Sequence, residues 1–505
     1  MNLLHSLRAG AAWRADVDLR AVLSAALALG LVLLLGALLA VLTAVSSWRV
    51  AAVATAAVAL PLVAQMSGNP RLFLLWCLMF ALPFDLSMYF GPISDKGGGE
   101  RAFRLEFADL FFLALAAFQL RDVLRRRWPG IRIPKVSIFW GLIMLRCIMT
   151  IVEGPWRTTA IHELLRMAKM LLLFIVFANE LDNPRRVLHA AGAMALAVLV
   201  QSGFGLAQWL RGATFGLEIL GEIGNTTAGV LARNSVQNAQ VFRISAFVGH
   251  PNLLGIYLAA ALPLCVAGFV MRGGSVARLW FLASGVLGLV ALILTQSRSA
   301  WASFALAAVV QIGLLLMHRG MFRRSLATLT VALAALVVVV AVFQEPITKR
   351  LFDSKDDATI GRQEFNEDAK RMIDAKLWLG WGVNSYVHEV PEFMKHSAKA
   401  YGGWIPPVHN IYYLWWAETG ITGLLVHLTM WLAIVWAAWR NLAVQNETLF
   451  NINLACMAGL LAFAVDGFLS FSLRVNQPLR LYWVLAGIVF AIHYQRRASR
   501  LAGPA

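Results

Sequence analysis

Three polar clusters interrupt an otherwise apolar sequence. They contain a histidine and arginines, residue types that can accept a proton or bind phosphate. The first is His409-Asn410, which precedes a run of aromatic residues. A histidine of ordinary pKa, about 6.5, can accept a proton near neutral pH, although a single histidine beside an aromatic belt is more often structural. The other two clusters surround Arg243 with Asn252, and Arg298.

Arginine is costly inside a membrane, so one near a span is a candidate functional residue. For each arginine taken singly, the alternative is a side chain that extends to a lipid head group. A guanidinium can bind phosphate through two parallel hydrogen bonds. Together, Arg243, Arg298 and His409 predict two phosphate donors and a base, a combination that fits chemistry on a lipid-linked diphosphate.

The composition shows what must position these residues. The chain has 505 residues, of which 59% are hydrophobic and 14% charged, whereas soluble domains average roughly 45–50% apolar and 25% charged. This excludes a soluble enzyme and predicts an all-α polytopic membrane protein. We attribute the net charge of +17 to basic cytoplasmic loops and not to nucleic-acid binding. The four cysteines lie in apolar runs without zinc-site or disulfide spacing.

Windows of roughly 20 apolar residues predict 12 to 14 transmembrane helices, fourteen when every candidate is kept. The candidates begin near Ala21, Val50, Leu72, Phe107, Val136, Leu164, Val187, Leu253, Leu279, Ser299, Leu326, Ile411, Phe450 and Leu479. Basic residues concentrate at one set of span ends, which places the N- and C-termini in the cytoplasm. In the first half, only Arg146 is a clear charge in the middle of a predicted span.

The spans divide the chain into five segments: N-terminal helices over 1–210, a periplasmic loop at 211–251, helices over 252–344, a large periplasmic loop at 345–408, and C-terminal helices over 409–505. Long connections are disproportionately functional. An amphipathic helix from Arg362 to Leu379 is expected in the larger loop. All three polar clusters fall on the outer face.

Several motifs resemble those of bacterial O-antigen ligases, with O-antigen and exopolysaccharide polymerases similar. His409-Asn410, nine residues and Gly420-x-x-Gly423 fit the ligase pattern H-[NSQ]-x9-G-x-x-[GTY]. Further similarities are Arg243 with the His250-Pro251-Asn252-x-x-Gly255 stretch, the Ser-Arg-Ser-Ala stretch around Arg298, and Gly361-Arg362 with the later Leu379–Gly382. The resemblance extends from about Arg243 to Gly423, and twelve spans are more usual in the family than fourteen.

The resemblance implies a GT-C-like, inverting, metal-independent glycosyltransferase of the bacterial inner membrane, without a cofactor. It would transfer a glycan from undecaprenyl diphosphate to a hydroxyl of lipid A core on the periplasmic face. His409 would be the catalytic base, and Arg243 and Arg298 would bind the diphosphate. Possible further substrate contacts are Arg362, Asn252, Asn410 and Glu418.

Some alternatives stay open at this point. A polymerase that extends the lipid-linked glycan shares every motif, and a transporter of lipid-linked sugars is a less favoured possibility. Asp356-Asp357 is a weak candidate for a metal pair, for which a solvated loop charge is the simpler interpretation. Asp466 and Arg474 are interpreted as an ordinary helix-end pair.

Overall fold

A computed structural model describes residues 63–90, 102–125, 130–224, 233–236, 239–318, 322–348, 357–394 and 407–501, with single residues 60, 320 and 405. Fifteen α-helices, three short 3₁₀ helices and two short antiparallel hairpins have their bounds in these ranges, which confirms the all-α polytopic class. The helices are α1 (Pro70–Ala81), α2 (Phe107–Leu124), α3 (Ser137–Glu153), α4 (Arg157–Glu180), α5 (Pro184–Arg211), α6 (Pro251–Val270), α7 (Ser275–Leu294), α8 (Arg298–Met317), α9 (Phe322–Val342), α10 (Gln344–Thr348), α11 (Asp357–Ala375), α12 (Tyr386–Glu389), α13 (Ile411–Asn441), α14 (Glu447–Asp466) and α15 (Asn476–Leu501). Strands β1 (Ser87–Phe90) and β2 (Phe103–Glu106) pair with each other, as do β3 (Arg233–Val236) and β4 (Ala239–Phe242).

Every span predicted from Leu72 onward corresponds to a helix. Seven of the described helices, α5 to α9, α13 and α14, are long and apolar enough to cross a membrane. The five others are shorter or carry more charged residues. The two candidates near Ala21 and Val50 begin outside the described residues.

Helices α6, α14 and α15 form the centre of the bundle. At least three quarters of the residues of α6 and α14 are buried, and α15 is buried throughout from Asn476 to Ile492. A helix that is apolar on all sides is expected to be surrounded by others. Gly459 shows how closely they pack, because a Cβ there would lie 2.5 Å from the backbone oxygen of Ala260.

The two long loops that the sequence predicts both contain ordered structure. The β3–β4 hairpin lies in the 211–251 loop, and α11 and α12 lie in the 345–408 loop. The predicted amphipathic helix is present as α11, which begins earlier and ends earlier than expected. The apolar part of its buried face includes Ala369, Met372 and Ile373, each at most 3% exposed.

Helix α13 is broken at Gly420, whose φ of 69° and ψ of −179° are not helical. This combination is essentially restricted to glycine. A Cβ at this position would also lie 2.0 Å from the backbone oxygen of Trp378. The segment beyond the break, residues 421–441, is about 31 Å long at 1.5 Å per residue, which matches a hydrocarbon core of about 30 Å.

The break frees backbone groups near the membrane, and residues 377–382 of the large loop satisfy them. The amides of Trp381 and Gly382 each donate to carbonyls of α13 at 2.9 Å, and Ile421 N donates to Leu377 O at 2.9 Å. The hydroxyl of Thr422 donates to Trp378 O at 2.9 Å. The Leu379–Gly382 stretch and the Gly420-x-x-Gly423 motif of the sequence are therefore in contact with each other.

Arg146 anchors the same loop segment to α3. Its Nε and Nη2 donate to Leu379 O at 3.0 and 2.8 Å, and its Nη1 donates to Thr150 Oγ1 at 3.0 Å. Thr150 Oγ1 in turn accepts from Val383 N at 3.1 Å. The mid-span charge predicted at Arg146 thus positions the loop above α13.

We predict that Gly420→Ala destabilises the protein by at least about 1–3 kcal/mol, the strain of a side chain in a glycine-only conformation. The clash with Trp378 adds to this cost. Gly141→Ala in α3 is the control, because its Cβ would meet nothing within 4 Å. The measurement is the midpoint of thermal unfolding in detergent; equal midpoints for the two variants would contradict the proposed constraint.

Candidate active site

The ends of four helices, α6, α8, α13 and α14, bring the site residues to one face of the bundle. Arg298 is the first residue of α8, and His409 lies two residues before α13. His250 precedes α6, and Asp466 is the last residue of α14. Because α14 runs antiparallel to the helices that begin here, these ends meet on the same side of the membrane.

The ring of His409 lies between two aromatic side chains, Phe365 of α11 and Phe471. Its ring is stacked near Phe365, with centroids 6.1 Å apart, and it meets Phe471 edge-on at 5.1 Å. The Nδ1 atom is buried and has no hydrogen-bond partner among the described residues. Burial and the charge of Arg362 lower the pKa of His409 to about 4, so the ring is neutral at physiological pH and one nitrogen can accept a proton.

Arg362 interacts electrostatically with three other groups of the site, Arg298, Asp466 and His409. Burial, and then the charge of Arg298, lowers its pKa below the ordinary value, while Asp466 acts in the opposite sense. Within the described part of the chain, Arg298 and Arg362 form no ion pair or side-chain hydrogen bond. Their donors are therefore available to an anion, and the charge of Arg362 also acts on His409.

Arg243 is held more firmly than the other two arginines. Its Nε donates to Thr295 O at 2.9 Å and its Nη2 to Asn252 Oδ1 at 2.5 Å. The backbone N of Asn252 donates to His250 Nδ1 at 3.1 Å. Burial, Arg243 and His409 lower the pKa of His250 to about 4, which keeps this second ring neutral as well. Asn252, a predicted substrate contact, here positions Arg243.

Asp466 belongs to this site, and its interpretation as a helix-end partner of Arg474 is wrong. Its Oδ2 accepts from Ser472 Oγ at 2.5 Å, and the hydroxyls of Ser299 and Ser470 also donate to its carboxylate. Ser299 follows Arg298 directly, so Asp466 ties the start of α8 to the end of α14. The signal available in the sequence was a carboxylate at the outer end of a span.

Asn410 and Glu418 have structural partners. Asn410 Oδ1 caps α13 by accepting from Tyr412 N at 3.0 Å and Tyr413 N at 3.2 Å. Such an N-cap contributes about 1 kcal/mol of helix stability. Glu418 is 2% exposed and pairs with Arg474 at 3.1 Å. The structure thus places Glu418 in a buried ion network below the surface cluster.

This network includes two residues that sequence reasoning missed. Arg474 also lies 3.3 Å from Glu163, and Arg166 donates to Arg474 O at 2.7 Å. Both Glu163 and Arg166 belong to α4 and are buried. The expectation that Arg146 is the only clear mid-span charge of the first half is therefore wrong. The pairing of Glu163 with Arg474 joins residues far apart in the chain, so no local sequence pattern indicates it.

The described residues contain no group of three or more His, Cys, Asp or Glu side chains arranged to hold a metal ion. Asp356 lies outside the described residues, and Asp357 is the first residue of α11. Independence of metal stays a prediction.

Comparison with known proteins identifies a family for part of the chain. Residues 283–428 match the family model described as O-antigen ligase, which confirms the resemblance over this segment. The match contains Arg298, Arg362 and His409, whereas Arg243 precedes it. No curated protein matches the chain.

The lowered pKa of His409 predicts the pH dependence of its reaction. Only below about pH 4 does the ring take up a proton and lose its ability to act as a base, so kcat/KM for the donor is expected to be constant between about pH 5.5 and 8. Arg362→Gln removes a charge that lowers this pKa, so the acid limb should move to higher pH in that variant. An acid limb near pH 6.5 in the unmodified protein would contradict the assignment.

Proposed function

We propose that this chain, whose residues 283–428 carry the O-antigen ligase family segment, transfers a glycan from undecaprenyl diphosphate to a hydroxyl of lipid A core. The family match supports a membrane enzyme of the O-antigen ligase or polymerase type. The observation that carries the finer proposal is the arrangement of three residues. His409 has a buried Nδ1 with no partner in the described structure, the charge of Arg362 acts on His409, and the charge of Arg298 acts on Arg362.

In the proposed reaction, His409 accepts the proton of the acceptor hydroxyl as its oxygen attacks the anomeric carbon. The bond between that carbon and the diphosphate oxygen breaks, and the carbon inverts. The diphosphate leaves with the electron pair of the broken bond. A neutral imidazole suits the first step, and the lowered pKa of His409 keeps it in that state.

The arginines stabilise the charge that develops on the leaving diphosphate. Arg298 and Arg362 are half-buried, and the charge of Arg298 acts on Arg362. Charge-assisted hydrogen bonds from a guanidinium are roughly twice as strong as neutral ones. Preorganised donors of this kind need no reorganisation during the reaction, so the proposed mechanism requires no metal ion. Arg243, fixed by Thr295 and Asn252, would supply a third donor.

We place the site on the periplasmic face of the bacterial inner membrane, with both termini in the cytoplasm. The support is the basic charge at the opposite ends of the spans. Arg324 and Arg272, at that opposite end, both pair with Glu447. A lipid-linked donor and a lipid-anchored acceptor would both reach the site from the outer leaflet.

Arg298→Lys is expected to lower kcat/KM by roughly ten- to a hundredfold, since charge-assisted hydrogen bonds contribute about 1.5–3 kcal/mol each and lysine lacks the planar fork. Arg243→Lys should lose activity similarly. His409→Ala should abolish turnover but keep the affinity for the lipid donor. Activity and donor binding are measured on the same purified variants. Loss of donor binding in His409→Ala, with full activity in both lysine variants, would overturn these roles.

The glycolipids of a strain lacking this chain distinguish the two acceptors. A ligase predicts uncapped lipid A core together with polymer retained on the carrier. Complementation with the unmodified chain should restore capping, and His409→Ala should not. Accumulation of single lipid-linked repeats would instead identify a polymerase.

A further inference from the structure

The end of the bundle opposite the candidate active site carries a group of basic side chains on two helices. Four of them, His493, Arg496, Arg497 and Arg500, belong to the C-terminal end of α15. Residues three, four and seven positions apart share one face of a helix, so these four lie on the same face. Arg440, one residue before the end of α13, is the fifth member. We call these five residues the basic cluster.

A buried hydrogen bond places the end of α13 beside α15. Asn441 Nδ2 donates to Val489 O at 2.9 Å, and Val489 lies one helical turn before His493. The charge of Arg440 acts on both His493 and Arg496. The basic cluster is therefore one electrostatic unit, although its members come from two helices.

The basic cluster lacks a neutralising carboxylate. Within the described ranges, none of its members forms an ion pair, and the charges that act on Arg496 are all positive. Other arginines at this end of the bundle are paired: Arg324 lies 2.5 Å from Glu447 and Arg71 lies 2.6 Å from Asp122. The cluster is therefore a local excess of positive charge that the described part of the protein does not balance.

Arg496 is buried at the base of the cluster without a full set of partners. It is 8% exposed, and its Nε has no hydrogen-bond partner among the described residues. A guanidinium keeps its proton in proteins, and a buried charged donor without a partner costs free energy. Basic residues that only orient the spans do not need to be buried. The burial of Arg496 therefore points to an anion that completes its hydrogen bonds.

Exposed tryptophans beside the cluster indicate that this anion belongs to a lipid. Trp436 and Trp439 of α13 are 62% and 52% exposed, and Trp439 directly precedes Arg440. Tryptophan is enriched where a membrane meets water, at the level of the head groups. Basic pockets between transmembrane helices bind the head groups of anionic lipids. The cluster has both the charge and the surroundings of such a site.

We propose that the basic cluster binds the phosphate of an anionic phospholipid in the leaflet opposite the candidate active site. Arg496 donates to the phosphate oxygens, and the exposed Arg497 and Arg500 add positive charge around them. A zwitterionic head group carries its own ammonium, which the surrounding cations repel, so the site selects lipids with a net negative charge. This binding goes beyond the proposed glycan transfer and does not depend on it.

Arg496→Gln tests the proposal through the affinity of the purified full-length chain for a photoreactive phosphatidylglycerol. Loss of the buried guanidinium should weaken binding roughly ten- to a hundredfold, and the label should map to α15 and the end of α13. Arg323→Gln is the matched control, because it removes an exposed arginine at the start of α9, at the same end of the bundle. Equal affinities of the two variants would overturn the proposal.

A second variant keeps the test decisive if Arg496→Gln does not fold. Arg497 and Arg500 are exposed, so the double change Arg497→Gln/Arg500→Gln is expected to leave the fold intact. Each basic residue near the membrane surface attracts anionic lipid, and loss of both should weaken phosphatidylglycerol binding roughly tenfold or more. Unchanged affinity in the double variant would contradict the proposal.

Competition identifies the source of the phosphate. Unlabelled phosphatidylglycerol should displace the photoreactive lipid, whereas phosphatidylethanolamine and inorganic phosphate at the same concentration should not. Displacement by inorganic phosphate as effective as that by phosphatidylglycerol would identify a site for a soluble anion and refute the lipid assignment. Equal displacement by phosphatidylethanolamine would refute the selection by charge. Glycan transfer is measured separately, so loss of labelling and loss of the proposed activity are distinguishable.

Discussion

The break of α13 at Gly420 is the constraint on which the arrangement of the site depends. Inside a bilayer, every backbone polar group needs a partner within the protein, so a broken helix is stable only where another segment supplies one. Residues 377–382 do so through four hydrogen bonds. The loop that carries α11, and with it Arg362, is thereby fixed above His409.

Glycines on both sides of this contact allow the loop and α13 to approach closely. Gly380 has a positive φ, and a Cβ there would lie 2.5 Å from Gly420 N. Two backbones can approach this closely only when neither carries a side chain at the crossing. The glycines therefore allow the loop and α13 to approach closely, whereas His409 is the proposed proton acceptor. Arg146 then holds the outer side of the loop from α3.

Much of this architecture is predictable from local sequence. Span positions follow from apolar windows, and His409 and Arg298 stand out because polar residues are rare beside such windows. The spacing of Gly420 and Gly423 indicates the family but contains no information about the broken helix. Asp466 was misassigned because a helix-end carboxylate has several possible partners. The buried pairing of Glu163 with Arg474 was missed because it depends on how distant helices pack.

That pairing has a consequence for how the protein is made. Arg474 and Glu163 are separated by 311 residues, so α4 enters the membrane long before its later partner is synthesised. Glu163 and Arg166 already neutralise each other within one helical turn, which lowers the cost of insertion. Glu418 and Arg474 provide a second neutral pair near the C-terminus. Arg474 therefore joins Glu163, from the first half of the chain, and Glu418, from the second, in one charge network.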